Sequence, residues 1–264
     1  MDIDKEREKI GKFIKAGLLG MSFVLLVGCG VLYLPKAVKT FLPAKEEAEM
    51  PIKSVECSEK KIALSFNISG KNENINDILK VLKAHGIQGT FFVTGAWAAS
   101  YPEDLKEIQK EGHDIGNFST QHKKMKQLSE KQCIQEIQSA HNKVKELTGI
   151  QMNLFRAPYG EYNKEILEAA DELNYYPIAW SIDSEDWKDY GIDAIVDQIC
   201  NHPELKNGAI ILCHNGTKFT AKALGTVIDT IQNKGFTFVK VSELIYYDDY
   251  EINENGRQQK EKVS

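Results

Sequence analysis

The stretch KIALSFNIS, residues 61–69, begins a regular pattern that decides the fold of this chain. Residues 62–66 form a short apolar run, which is typical of a buried β-strand. Apolar side chains then recur at helical spacing from Ile75 to Leu82, which indicates an amphipathic helix packed on that strand. Because a buried strand followed by such a helix is the repeating unit of α/β proteins, the stretch predicts a parallel sheet covered by helices.

The alternation of strands and helices continues to residue 241. Further strands are predicted at residues 90–94, 114–118, 153–156, 176–182, 208–214 and 236–241. Helices are predicted from Pro102 to Gly112, after the cap Ser129, from Asn163, from about Asp193 and from Thr220 to Asn233. About seven units in about 190 residues are too few for an eightfold barrel, so we expect an α/β fold, a (β/α) barrel with about seven parallel strands.

Composition excludes several other classes of protein. The chain has 264 residues, of which 42% are hydrophobic and 27% are charged, and this apolar share excludes wholesale disorder. The net charge of −5 argues against sequence-independent binding of nucleic acid. The five cysteines are an odd number without a CxxC pair, so neither a disulfide scaffold nor a zinc ribbon is expected.

The first part of the chain carries a membrane signal. Residues 17–34 read GLLGMSFVLLVGCGVLYL and contain no charge, which is about the minimum length of a transmembrane helix. Five lysine and arginine residues precede this run, so the N-terminus is expected in the cytoplasm and the rest of the chain on the extracytoplasmic side. A buried core helix, a cleaved signal peptide and a lipoprotein processed at Cys29 are the alternatives, and we favour the uncleaved anchor.

The chain is therefore expected to consist of five segments. They are a cytoplasmic N-terminus at residues 1–16, a single-pass anchor in the cell membrane at 17–34, a linker at 35–54, the barrel domain at 55–247 and a polar tail at 248–264. The linker contains prolines and acidic residues and would hold the domain away from the membrane. The part of the tail after Glu251 is expected to fray because it is terminal and polar.

Polar residues concentrate directly after the predicted strands. Since the carboxyl ends of parallel strands meet at one end of a barrel and carry its chemistry, these residues are expected to form one site. A single histidine or arginine at a strand end is often structural, whereas their joint occurrence after successive strands indicates function. The residues are Asn67, 117–122, 156–160, Asp183, Asp186, Trp187, His214 and Asn215.

Six segments in order resemble the polysaccharide deacetylases, carbohydrate esterase family 4 with the NodB-homology domain. They are residues 62–66, 89–93, 112–117, 155–160, 183–187 and 211–214, and the resemblance covers residues 55–247. Residues 242–246 and 255–258 are similar to the tail of the membrane-anchored type found in spore formers. The resemblance implies hydrolysis of an N-acetyl group on a sugar by a divalent metal, usually zinc, held by one aspartate and two histidines. A further aspartate would act as base and a later histidine as general acid.

Three positions that the resemblance assigns to hydrolysis carry residues that cannot perform it. Asn67 stands at the catalytic base, and an amide is not a useful proton acceptor. Ile68 stands at the metal-binding carboxylate, and Phe118 stands at one of the two metal-binding imidazoles. His122 matches the other imidazole, and one imidazole alone is a poor zinc site.

On the side of the site that would face the sugar, the residues match those that the family resemblance implies. Arg156 matches the arginine that orients the base, His214 matches the general acid, and Asp186 matches the carboxylate coupled to it. The positions for substrate are the backbone N–H of Tyr159 as an oxyanion donor, Trp187 beside the sugar and Leu212 at the acetyl methyl group.

Two hypotheses of function follow. The first is a divergent deacetylase of peptidoglycan or a related N-acetylated glycan of the cell envelope, with substitute metal ligands among Asn67, His122 and a neighbouring carboxylate. The second is a pseudoenzyme without metal that keeps the groove to bind glycan or to scaffold envelope assembly. The three substitutions favour the second hypothesis on chemical grounds, and the oligomeric state stays open.

Overall fold

The computed structural model describes residues 50–261. The predicted cytoplasmic N-terminus, the predicted anchor at residues 17–34 and the linker before Met50 lie outside the described residues, as do residues 262–264. Within residues 50–261, no helix combines the length and the apolar character that crossing a membrane requires.

One parallel sheet forms the centre of the domain. Its strands are β2 (Lys61–Ile68), β3 (Thr90–Val93), β4 (Asp114–Asn117), β5 (Leu154–Phe155), β6 (Tyr176–Pro177), β7 (Ile182–Asp183), β8 (Ile210–His214) and β9 (Thr237–Val239). Seven of them are hydrogen-bonded in the order β6-β5-β4-β3-β2-β8-β7, and β9 also pairs with β2. The predicted α/β fold with about seven parallel strands is therefore confirmed, in the form of a half-barrel.

Helices connect successive strands, as the alternating sequence predicts. They are α1 (Ile75–Ala84), α2 (Gly95–Ser100), α3 (Pro102–Lys110), α4 (Glu130–Thr148), α5 (Lys164–Glu172), α6 (Ile192–Cys200), α7 (Thr220–Asn233) and α8 (Val241–Leu244). Ser129 forms a capping box with Gln132 at the start of α4, and the Asn163 side chain accepts from the N–H of Ile166 at the start of α5. These caps fix where both helices begin.

The alternation of side chains along β2 separates the core from the site. The even-numbered residues from Ile62 to Ile68 belong to the large apolar cluster that the sheet shares with the helices. Ala63 belongs instead to a smaller cluster inside the half-barrel that includes Phe118. Because strand side chains alternate, Ser65 and Asn67 share the inner face with Ala63. The polar residues of β2 are thus directed into the half-barrel.

The predicted strand at residues 176–182 is two short strands, which corrects the prediction. The N–H of Ile178 donates to the carbonyl of Phe155, whereas the N–H of Ser181 donates to the carbonyl of Ile210. The chain therefore crosses from the β6 edge of the sheet to the β7 edge within four residues. At this crossing, Nε of Arg156 donates to the carbonyl of Ile178 and Nη2 donates to the carbonyl of Ala179.

The expectation that the tail frays after Glu251 is wrong for its described residues. Strands β10 (Tyr250–Ile252) and β11 (Arg257–Lys260) form an antiparallel hairpin, and β11 pairs in parallel with β1 (Ser54–Val55). The Gln258 side chain is fully buried, where it accepts from the N–H of Tyr246 and donates to its carbonyl. A polar residue is buried here because the fold supplies both of its hydrogen-bond partners.

Candidate functional site

Four of the predicted site residues lie together at the carboxyl ends of the central strands. Asn67 and His214 face each other in register on the neighbouring strands β2 and β8. Arg156 follows β5 and contacts Asn67, and Asp186 follows β7 and contacts His214. The strand-end argument therefore correctly predicted that these four residues lie close together.

The Arg156 guanidinium is fully buried and forms the floor of the site. Nη1 donates to Oδ1 of Asn67 at 3.0 Å, and Nη2 donates to Oγ of Ser65 at 2.9 Å. Nη2 also donates to the carbonyl of Ala179, and Nε donates to the carbonyl of Ile178. All four acceptors are neutral, so hydrogen bonds satisfy the guanidinium without compensating its charge.

The charge of Arg156 persists despite its burial. Loss of solvation lowers the pKa of Arg156 to about 9, which leaves the group charged at neutral pH. The guanidinium carbon lies 4.0 Å from the centroid of the Phe92 ring, a cation–π contact. No aspartate or glutamate in the part of the chain that the structure describes forms a salt bridge with it. A buried cation therefore lies directly beneath the Asn67 amide.

His214 is held by a buried carboxylate. Oδ1 of Asp186 lies 2.7 Å from Nδ1 of His214, and Oδ2 accepts from the His214 backbone N–H at 2.8 Å. The hydroxyl of Thr220 donates to the same Oδ2 at 2.6 Å. This arrangement fixes the ring and leaves its Nε2 atom for a ligand, which is the geometry of an oriented acid–base histidine.

His122 packs among aromatic rings on the loop after β4. Its ring centroid lies 4.8 Å from that of Phe118 and 4.7 Å from that of Tyr159. Burial lowers the pKa of His122, and the neighbouring charge of His214 is a lesser cause. The imidazole is therefore mostly neutral at neutral pH.

Glu136 of α4 holds this loop in place. Its Oε2 atom accepts from the backbone N–H groups of Thr120 at 3.1 Å and Gln121 at 2.9 Å, and Oε1 lies 2.7 Å from Nζ of Lys123. Because the carboxylate is buried, it is the partner on which the loop before His122 depends.

Replacing Glu136 by alanine is expected to lower the free energy of unfolding by about 3 kcal/mol, because two N–H groups lose their acceptor. Urea unfolding of the full chain measures this loss. Glu146→Ala is the matched control on the same helix, since Glu146 is exposed and forms a surface ion pair with Lys143. It should change stability by less than about 0.5 kcal/mol. Equal losses for both variants would contradict the role given to Glu136.

The residues at the predicted metal position do not fit a metal ion. Ile68 and Phe118 are apolar and buried, and Oδ1 of Asn67 is taken by Arg156. Both carboxylate oxygens of Asp186 accept hydrogen bonds as well. Within residues 50–261, no group of three or more histidine, cysteine, aspartate or glutamate side chains is placed to share an ion. The substitute ligand set suggested by the sequence is thus not assembled.

Aromatic side chains border the site on its open side. Trp187 is 58% exposed, and Tyr159 is 54% exposed. Tyr190 lies on the same loop as Trp187 and is also exposed, with the Lys188 ammonium near both rings. Leu212 is buried on β8, where strand alternation places it on the same face as His214. Of the three predicted substrate-binding residues, Tyr159 and Trp187 thus form a rim of exposed rings, whereas Leu212 is part of the buried floor.

Other strand-end residues have structural roles. Asn117 is buried and donates to the carbonyl of Ile137 and to the Tyr175 hydroxyl. Oδ1 of Asp183 accepts from the backbone N–H of Glu185. Both residues stabilise the loops that carry the site.

Sequence analysis missed three residues that support the site, namely Ser65, Glu136 and Thr220. Ser65 lies within an apolar strand, Glu136 within a helix, and Thr220 at the start of α7. A polar residue inside the buried run IALSF is the one signal that could have identified Ser65. The partners of the other two come from distant segments.

Comparison with known proteins gives a consistent result. Residues 54–178 match the family described as polysaccharide deacetylase. The peptidoglycan-N-acetylmuramic acid deacetylase PdaA of Bacillus subtilis is 34% identical over 196 residues, 71% of this chain and 72% of that protein. PdaC of the same organism, another peptidoglycan-N-acetylmuramic acid deacetylase, is 32% identical over 80% of this chain but only 46% of its own length.

Solved structures include relatives with and without activity. A pseudoenzyme of carbohydrate esterase family 4 from Bacillus anthracis has a TM-score of 0.71 at 28% identity, over 75% of this chain and 69% of that chain. A mutant of that pseudoenzyme with restored enzymatic activity has the same TM-score of 0.71 and the same 28% identity, over 75% of this chain and 71% of that chain. The chain is thus similar to both kinds of protein.

Proposed function

Because the chain belongs to the polysaccharide deacetylase family, we propose that it binds an N-acetylated glycan of the cell envelope without hydrolysing it. One observation carries the proposal: the positions of base and metal ligands hold Asn67, Ile68 and Phe118, while Asp186 and His214 remain in ordered contact. The residues that differ are those that the family resemblance assigns to the base and the metal, and the retained pair is the one that it assigns to the general acid.

Loss of the base follows from the chemistry of Asn67. Its amide has no basic lone pair of useful strength, and its oxygen already accepts from Arg156. Asp186 does not take its place, because it is buried beneath His214 and accepts three hydrogen bonds. Neither Asn67 nor Asp186 therefore offers a proton acceptor to a water molecule at the position of the base.

The rim supports glycan binding. Exposed aromatic rings at Tyr159 and Trp187 offer flat apolar faces with polar edges, which suit the C–H face of a sugar. They stand beside polar groups of the floor that can accept or donate hydrogen bonds, as ligand sites commonly do. We propose that the glycan is peptidoglycan, because the relatives PdaA and PdaC are named as peptidoglycan deacetylases.

The proposed location follows from the sequence before the domain. We propose that residues 17–34 anchor the chain in the cell membrane and that the family domain lies on the extracytoplasmic side. An envelope glycan would then be within reach of the site. The resemblance to the type found in spore formers would place this role in envelope assembly.

The retained contact between Asp186 and His214 favours a second candidate, a divergent deacetylase, because a general acid is kept. One experiment separates the two. The full chain is purified, its bound metal is measured, and acetate release from peptidoglycan and N-acetylglucosamine oligomers is followed with Zn²⁺, Co²⁺ or Mn²⁺ added. We expect sedimentation with peptidoglycan and no acetate release. Stoichiometric metal with acetate release would overturn the proposal, as would failure to bind any glycan.

Replacing Trp187 by alanine is expected to weaken glycan binding about tenfold, because the exposed ring supplies contact area to the sugar. Titration of the full chain with peptidoglycan fragments measures the change. Tyr247→Ala removes a partly exposed tyrosine near Ser242, at the amino end of the sheet, and should leave the affinity unchanged. A loss of equal size in both variants would show that Trp187 is not part of the glycan surface.

A further inference from the structure

We propose that a cavity at the amino end of the sheet binds a free aliphatic amino acid. The cavity has a volume of about 330 Å³ and is lined by residues that precede β3 and β4 and by residues at the end of β9. Phe238 in its wall pairs with Ile62, five residues before Asn67 on β2, a separation of about 16 Å along the strand. Binding in this cavity would therefore be independent of the strand-end site.

His113 supplies the cavity with an N–H donor. Its Nδ1 atom accepts from the backbone N–H of Gly89 at 3.1 Å, so the proton of the neutral ring lies on Nε2. The side chain is only 7% exposed, and burial lowers the pKa of His113 to about 4, which keeps the ring neutral at neutral pH. Within residues 50–261, Nε2 has no hydrogen-bond acceptor. A ligand oxygen would supply the acceptor that this largely buried donor lacks.

The adjacent carboxylate of Asp114 does not serve this donor. Its Oδ2 atom accepts from the Thr90 hydroxyl and from the backbone N–H of Ser242, and its Oδ1 atom accepts from the Ser242 hydroxyl. These bonds hold α8 against β3 and β4. The Nε2 donor of His113 is therefore left to the cavity that its ring borders.

Charges of both signs lie at the cavity. After burial, the largest influences on the pKa of His113 are Glu111, which raises it, and Lys240, which lowers it, so both groups lie near the ring. Oε1 of Glu111 lies 2.6 Å from Nζ of Lys83, whereas its Oε2 atom has no partner in the described part of the chain. Nζ of Lys240 lies 3.2 Å from Oε1 of Glu243 and keeps N–H groups for another acceptor.

This balance of charge favours a zwitterion. The two ion pairs bring two positive and two negative charges to the cavity, so a ligand with a single charge would meet attraction and repulsion together. An α-ammonium group can donate to Oε2 of Glu111, while an α-carboxylate can accept from Nε2 of His113 and from Nζ of Lys240. Hydrogen bonds of this kind between charged groups are stronger than neutral ones.

The remaining wall sets the size and character of the side chain. Ile87 and Phe238 are buried, and Val239 lies beside them in the lining. A volume of about 330 Å³ is at the small end of the range for ligand pockets, about 300–1,000 Å³. We therefore expect one amino acid with an aliphatic side chain rather than a peptide.

The test uses leucine and two analogues that each lack one of its charges. Equilibrium dialysis of the full chain with radiolabelled leucine, each enantiomer in turn, gives the dissociation constants. Competition gives those of 4-methylpentanoate, which lacks the ammonium, and 3-methylbutylamine, which lacks the carboxylate. We expect one enantiomer to bind at least about tenfold more tightly than either analogue. An analogue that binds as tightly as leucine, or no binding of either enantiomer at millimolar concentration, would overturn the proposal.

Two variants assign the charges, and both leave the contact of His113 with Gly89 in place. Glu111→Gln should weaken leucine at least about tenfold without weakening 4-methylpentanoate, and Lys240→Gln should weaken leucine without weakening 3-methylbutylamine. Lys110→Gln is the matched control, since Lys110 pairs with Glu107 outside the cavity, and it should leave the affinity unchanged. Equal losses in all three variants would contradict the cavity as the binding site, whatever the result for glycan.

Discussion

Replacing Asn67 by aspartate is expected to raise the melting temperature of the domain by about 4–8 °C at neutral pH. A carboxylate at this position would accept the 3.0 Å hydrogen bond from Arg156 and also neutralise its buried charge. A hydrogen bond between two charged groups contributes about 2 kcal/mol more than the neutral one it replaces. Thermal unfolding of both full-length chains measures the difference.

The gain should depend on pH in a defined direction. The neighbouring guanidinium would hold the pKa of the new carboxyl in the folded state below the value of about 3.9 that it has in the unfolded chain. The added stability is therefore fully present above the unfolded pKa and is lost as the pH falls through the folded pKa. Melting curves at neutral and acidic pH should converge at the acidic end.

Asn67→Ala is the control for the loss of the amide itself. It removes the acceptor without adding charge, so it should melt below the wild-type chain at every pH. If Asn67→Asp also melted below the wild type at neutral pH, the charge of Arg156 would be compensated by a group other than its four neutral partners.

The combination of Asn67→Asp, Ile68→Asp and Phe118→His is expected to give acetate release that requires added Zn²⁺. Together with His122 it supplies the base and the one-aspartate, two-histidine set that the family resemblance assigns to these positions. The imidazole placed at Phe118 would lie beside His122, since their rings are already 4.8 Å apart. The active mutant of the Bacillus anthracis pseudoenzyme, a structure similar to this one, indicates that the fold can recover hydrolysis.

The same variant should depend on metal for its stability. Ile68 is fully buried in the cluster shared by the sheet and the helices, so a carboxylate there without metal costs several kcal/mol. Zn²⁺ binding to the folded state should recover part of this loss, and the melting temperature should rise with zinc concentration.

Two further variants keep this prediction testable. The double variant Asn67→Asp, Phe118→His avoids the buried carboxylate and should fold without metal. Adding His122→Ala to the triple variant should abolish both the zinc-dependent melting shift and acetate release. If zinc raised the melting temperature but no acetate were released, this would contradict the view that only the catalytic base and the metal ligands are missing from this site.

The regular elements were predictable because their signals are local. Helix α7 at Thr220–Asn233 has the predicted bounds, Ser129 caps α4 as predicted, and the helix predicted from Asn163 begins there. The proximity of the strand-end residues was also predictable, because strand ends converge in a parallel sheet. Asn67 and His214 followed from that rule.

The supporting hydrogen bonds could not be predicted from local signals. Thr220 contacts Asp186 across 34 residues of sequence, and Ser65 contacts Arg156 across 91 residues. The hairpin of β10 and β11 was missed for the same reason, since RQQK at residues 257–260 shows no apolar alternation. Gln258 is buried through partners at Glu56 and Tyr246 that only the folded chain provides.

The backbone around β1 also determines how the domain would bear mechanical load. Moving along the chain from residue 52, N–H groups donate to three separate regions: Ile52 to Pro177, Lys53 to Gly256, Val55 to Gly208 and Glu56 to Gln258. A mechanical force applied to the chain before Met50 is therefore distributed over the hydrogen bonds to Pro177 and Gly208 of the half-barrel and those to the C-terminal hairpin. Tension on the first described strand is thus resisted by the last described strand, and unfolding from this end would have to disrupt both pairings together.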